Sequence, residues 1–211
     1  MLDRIATFHG RFFGAVQSSL EDWFLGLSAR LVFAAVLFVY FFNSALTKIG
    51  DGIFGFLSIA DNAYFQILPT VVERYGFDAS QIPFFPYKII VFAGTYAEFL
   101  LPVLVIVGLF TRIAALGMIG FVVVQSYVDI AFHGADETTV GAWFDRLPDA
   151  TILDQRALWV FLLAYLVIRG PGLMSLDTVL GRHAPEFLGH AWQRDRVPSW
   201  FAPTSERGLR S

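Results

Sequence analysis

Six polar residues stand in otherwise apolar surroundings and could hold a proton, a ligand or a charge: Asn43, Lys48, Glu98, Gln125, Asp129 and His133. Glu98 is the sharpest of them. It lies in GTYAEFLLPVLVIVGLFTR, Gly94 to Arg112, with no other carboxylate or cation before Arg112. Counted from Lys88 it is about 15 Å along a helix, near the middle of a bilayer's hydrocarbon core. An isolated charge there costs at least ~2.5 kcal/mol, so Glu98 has to be protonated, paired or turned to a polar interior. Pro102, four residues on, has no N–H to return to the Glu98 carbonyl, which predicts a kink and a free acceptor beside the carboxyl. Two roles stay open for Glu98: a catalytic group that takes or gives a proton, or interhelical glue bonded to Asn43 or Gln125.

Asn43 and Lys48 fall toward the end of one apolar run, and Gln125, Asp129 and His133 toward the end of another. Together they predict a funnel of ligand-binding residues opening outward and ending at Glu98. It would suit a quinone headgroup, a proton path or a metal ion handed over from outside. Lys48 and Asp129 also read as ordinary snorkelling side chains, and His133 as a loop histidine at the interface. No tight His/Asp/Glu spacing supports a metal site, so none is expected. His9, His133, His183 and His190 provide no pair of in-span axial ligands for haem. With no Cys, the chain has no thiol relay, iron–sulfur ligands or covalently attached cofactor, and redox chemistry would need a borrowed one.

Composition agrees with a membrane setting. The chain is 56% hydrophobic and 16% charged, against about 25% charged in soluble domains, and its mean hydropathy is +0.60. A net charge of −3 with no basic run argues against nucleic acid as a partner. Leu2, Ile5, Phe8, Phe12, Val16, Leu20, Trp23 and Leu27 recur at steps of three and four, predicting an amphipathic interfacial helix over residues 1–27, with a helix docked on the bundle's own end as the alternative. No secretory signal pattern is present there, so the first span is expected as an uncleaved anchor.

Residues 28–181 then read as an all-α four-helix bundle with spans at about 28–48, 88–110, 113–130 and 152–168, and residues 182–211 as a polar tail with Trp192 and Trp200. Between the first two spans, Ile53 to Ile59 and Tyr64 to Val72 are predicted short interfacial helices. Gly170, Pro171 and Gly172 read as a helix stop, with Ser175-Leu176-Asp177 opening a new helix. If the termini share a side, ten of the 15 Lys and Arg lie there, including Arg30, Arg112 and Arg169 at span ends. The positive-inside bias then places both termini in the cytoplasm of a multi-pass bacterial inner-membrane protein.

The pairing of AEFLLPVLVIVGLFTRIAAL, Ala97 to Leu116, with RGPGLMSLDTVLG, Arg169 to Gly181, resembles the DoxX family of four-helix bacterial membrane proteins. The matching positions are Glu98, Gly108, Leu109, Thr111, Arg112, Gly170, Pro171, Gly172, Ser175, Leu176 and Asp177, with Lys48 matching a Lys common at the end of the family's first span. Asn43-Ser44-Ala45 replaces a small glycine ahead of that Lys. The resemblance implies an accessory or quinone-contacting subunit of a membrane redox system similar to thiosulfate:quinone oxidoreductase. It leaves two alternatives, a scaffold for envelope partners and metal handling beside a metal-binding peptide. Lipid, protein partners or further copies of the chain are the expected neighbours. Transport ranks last, because the cytoplasmic half holds only apolar runs such as Val103 to Val107.

Overall fold

The computed structural model describes residues 2–183; the predicted tail of 182–211, with Trp192 and Trp200, falls almost wholly outside them. Among these residues the chain is helical, with one isolated bridge between Ile49 and Ile59. Helix α1 is Leu2–Leu20. Four helices are long and apolar enough to cross a bilayer: α2 Phe24–Leu46, α5 Phe84–Val107, α6 Thr111–Ala131 and α8 Thr151–Arg169. Short helices α3 Asp61–Ile67 and α4 Pro69–Arg74 lie between the first two spans, α7 Glu137–Val140 between the last two, and α9 Leu176–His183 follows. The protein is an all-α membrane bundle.

The spans differ from the expected ones in physical detail. The first starts at Phe24, immediately after the turn that ends α1, and stops at Leu46, so Lys48 lies in the connection beyond it. Its run is interrupted by a π-helical turn, Ala34–Phe38. The second ends at Val107, because Gly108 closes it with φ +72° and donates back to Leu104. α5 continues as one element through Pro102. The predicted interfacial helix Tyr64 to Val72 is two helices, split at Leu68-Pro69, and Ile53 to Ile59 holds only a 3₁₀ turn, Gly55–Leu57.

Lipid is as apolar as the spans, so close packing and polar contacts must hold them together. The core stacks Phe33, Leu37 and Phe41 of α2 on Val105 of α5, Ala114, Ala115, Met118 and Val122 of α6, and Leu163 and Leu166 of α8. Ala114 and Ala115 of α6 are buried in this core, where small residues let membrane helices pack closely. Outward positions stay apolar, with Val36, Ile113, Leu116 and Phe161 all exposed. A second cluster of Ala63, Tyr64, Val72, Ile82 and Val91 fastens α3 and α4 to the first half of α5.

At the opposite end the two sequence motifs meet. Asp177 accepts hydrogen bonds from the Phe110 and Thr111 backbone N–H groups at 2.6 and 2.9 Å and from Thr111 Oγ1 at 2.8 Å. It thus caps the start of α6 from across the bundle. Arg30, buried, donates to the Ile106 carbonyl at 3.1 Å and to the Met174 carbonyl. A Cβ on Gly26 would lie 2.5 Å from the Pro171 carbonyl carbon, so α2 crosses the Gly-Pro-Gly segment backbone to backbone.

Gly108 tests this junction. A Cβ there would be 2.5 Å from Arg30 Nη1 and 2.7 Å from Ser175 Cβ, at a left-handed φ. Gly108→Ala should cost about 1–3 kcal/mol, the usual range for overpacking, seen as a lowered Tm in detergent. Gly120→Ala, with no atom within 4 Å, is the neutral control. Equal melting of both variants would show that the junction is not tightly packed.

Candidate functional site

Glu98 is buried in α5 and has a partner. Lys48 Nζ donates to its Oε2 at 2.7 Å, and Ser44 Oγ to its Oε1 at 3.1 Å. Lys48 folds back over the last turn of α2, donating also to Ser44 Oγ at 2.8 Å and to the Ser44 carbonyl at 3.1 Å. All three ammonium protons are thereby used, and both carboxylate oxygens are occupied. With side chains only 5% and 3% exposed, the two charges are removed from solvent together. This is the condition under which an ion pair survives in a membrane.

The structure corrects the expected partners of Glu98. Neither Asn43 nor Gln125 reaches it. Asn43 is exposed, and Ser44, one residue on, faces α5 in its place. Gln125 donates to Tyr40 Oη at 2.7 Å, between α6 and α2. Lys48 is buried against the bundle, so the snorkelling reading fails for it.

Asp129 accepts from Arg156 Nη2 at 2.6 Å, and Arg156 Nη1 donates to Ser126 Oγ at 2.9 Å, joining α6 to α8. His133 Nε2 bonds the Gln66 carbonyl at 3.2 Å; a carbonyl only accepts, so that nitrogen carries the proton. Five of the six polar residues therefore form separate contacts in place of one funnel ending at Glu98, Lys48 with Glu98, Gln125 with Tyr40, Asp129 with Arg156, and His133 with Gln66, while Asn43 is exposed.

Sequence reading missed Ser44, Arg30 and Arg156 as interior polar groups. Arg30 entered only as a charge at a span end and Arg156 only in the count of basic residues, although each is 4% exposed. Thr95 Oγ1, one turn before Glu98, and Gln125 Oε1 are buried without a hydrogen-bond partner. Among the described residues no three His, Asp or Glu side chains converge as a metal site would require. Outside the spans, Asp136 caps α7, and hydrogen bonds from Thr139 and Thr138 hold its carboxyl below the usual range.

Pro102 is buried on the same helix, Arg112 lies exposed against Gly170, and Pro171 and Gly172 complete the junction described above. These positions serve packing and chain reversal. No family model, no curated protein and no solved structure matches the chain.

The pair predicts a non-additive mutant cycle. Lys48→Met strands a buried carboxylate and should cost about 3–5 kcal/mol, whereas Lys48→Met with Glu98→Leu should restore most of that loss. Thermal unfolding in detergent checks this; additive losses would mean that the two charges do not interact.

Proposed function

We propose that the chain is an accessory subunit of a bacterial inner-membrane redox system of the DoxX kind, with both termini cytoplasmic. The observation that carries this reading is the closed hydrogen bonding of Lys48, Glu98 and Ser44. Lys48 has no donor left over for a substrate, and both Glu98 oxygens already accept from the protein, so the pair holds the shape of the bundle. The pair joins two positions at which the sequence resembles DoxX proteins, and the two motifs that carry the resemblance lie against each other through Thr111 and Asp177. Electrons come from a partner, because the chain has no Cys and no paired haem ligands of its own. The partner docks on the connection between α6 and α8, where Trp143, Phe144 and Leu147 are exposed among Asp136, Glu137, Asp145 and Asp149. Exposed aromatics in a polar rim suit protein recognition.

A second reading has its own support. Glu98 is an ionisable residue within a span, and it would then exchange the proton that accompanies quinone reduction while the partner supplies the electrons.

Native nanodisc purification with mass analysis of co-purifying molecules separates the two. On the accessory reading, Trp143→Ala with Phe144→Ala releases a stoichiometric partner, while Glu98→Gln keeps it and only lowers the Tm. Quinone retained by the wild type and lost in Glu98→Gln would transfer the assignment to the second reading.

A further inference from the structure

The chain from Ile49 to Ala60, between the first span and α3, has the position of an aqueous cap, but its anchor points lie well down the membrane helices. Lys48, at its start, is pinned to Glu98, and Ala60, at its end, donates to the Lys48 carbonyl at 3.0 Å. Between them, Tyr96 Oη donates to the Phe56 carbonyl. The regular part of α5 begins at Ile89, so Tyr96 is about 10 Å and Glu98 about 13 Å along its axis, at 1.5 Å per residue. The segment therefore hangs beside the second span, below that span's own entry point.

The face of α5 that it touches is the exposed, apolar one. Ile89, Phe92, Tyr96, Leu100, Val103 and Val107 follow steps of three and four and so share one stripe. Apart from Tyr96, they are exposed large hydrophobics. Val91, Thr95, Glu98, Pro102 and Val105 lie on the buried side. Tyr96 thus receives the segment in the middle of an apolar stripe that continues uncovered both above and below it.

The segment matches this location. Ile53, Phe54 and Leu57 are 89%, 74% and 68% exposed, and Asp51 is the sole ionisable residue between Lys48 and Asp61. Non-helical backbone at membrane depth needs its polar groups bonded internally. Here Gly50 N–H donates to the Gly55 and Ser58 carbonyls, Gly55 to Gly52, Leu57 to Phe54 and Ser58 to Gly55, all between 3.0 and 3.1 Å.

We propose that Gly50 to Ser58 is a lipid-inserted hairpin, with Ile53, Phe54 and Leu57 in the acyl chains of the leaflet on the Lys48 side and Asp51 at the headgroups. The occupant follows from continuity with the exposed stripe of α5. It is independent of the redox and accessory readings above.

The absence of Cys makes the test direct. Ile53→Cys and Leu57→Cys, each at an exposed position, are labelled with a small thiol-reactive fluorophore in nanodiscs. Val103→Cys marks lipid and Glu137→Cys marks water. Lipid brominated on its acyl chains should quench the labels at 53 and 57 as strongly as the label at 103, and aqueous iodide should leave them bright. Iodide quenching equal to that at 137, without loss to brominated lipid, overturns the proposal in favour of an aqueous cap. Resistance to both quenchers overturns it in favour of burial against protein.

Discussion

A cation in the apolar interior of a membrane bundle has to find its counter-groups inside the protein, and three such cations govern how this bundle closes. Lys48 ties the end of α2 to α5 through Glu98, Arg156 ties α8 to α6 through Asp129 and Ser126, and Arg30 ties α2 to the end of α5 and to the chain beyond α8. Each is 4% exposed. Burying an ion is expensive, so the pairs add less to stability than their short distances suggest. Their larger effect is selective. An arrangement of the spans that separates any one cation from its acceptors leaves a bare charge in a low-dielectric medium, and alternative packings of equally greasy helices are excluded on that ground.

Much of this architecture was legible in the residues. The apolar lengths announced four crossings, Gly-Pro-Gly announced the end of the last one, and the depth of Glu98 announced that it had to be protonated, paired or turned to a polar interior. The identity of that partner was not legible. Neighbouring residues on a helix point about 100° apart, so choosing Asn43 over Ser44 depends on the phase of the whole helix. The π-helical turn at Ala34–Phe38 changes that phase midway, and nothing in the local composition marks it.

Arg30 and Arg156 were hidden for a different reason. Side chains that bond to remote carbonyls, as Arg30 does at Ile106 and Met174, have no complementary residue type to search for. A charge near a span boundary also has an adequate explanation in the headgroups. The same ambiguity blurred the connection after Lys48. Ile53 to Ile59 read as a short interfacial helix, whereas Gly50 and Gly55 let the two arms of a hairpin touch, with a Cβ on Gly55 falling 1.8 Å from the Gly50 carbonyl oxygen.

The Asp177 cap has a consequence for the order of assembly. The amide groups it satisfies belong to Phe110 and Thr111, at the start of the third span, but the carboxylate itself emerges after the fourth. During synthesis the tight hairpin between the second and third spans enters the bilayer with its exposed amides still solvated by water or headgroups. It acquires its protein acceptor only when the last crossing is complete. A chain interrupted before residue 177 would have every membrane segment it needs and still lack the group that finishes their middle turn.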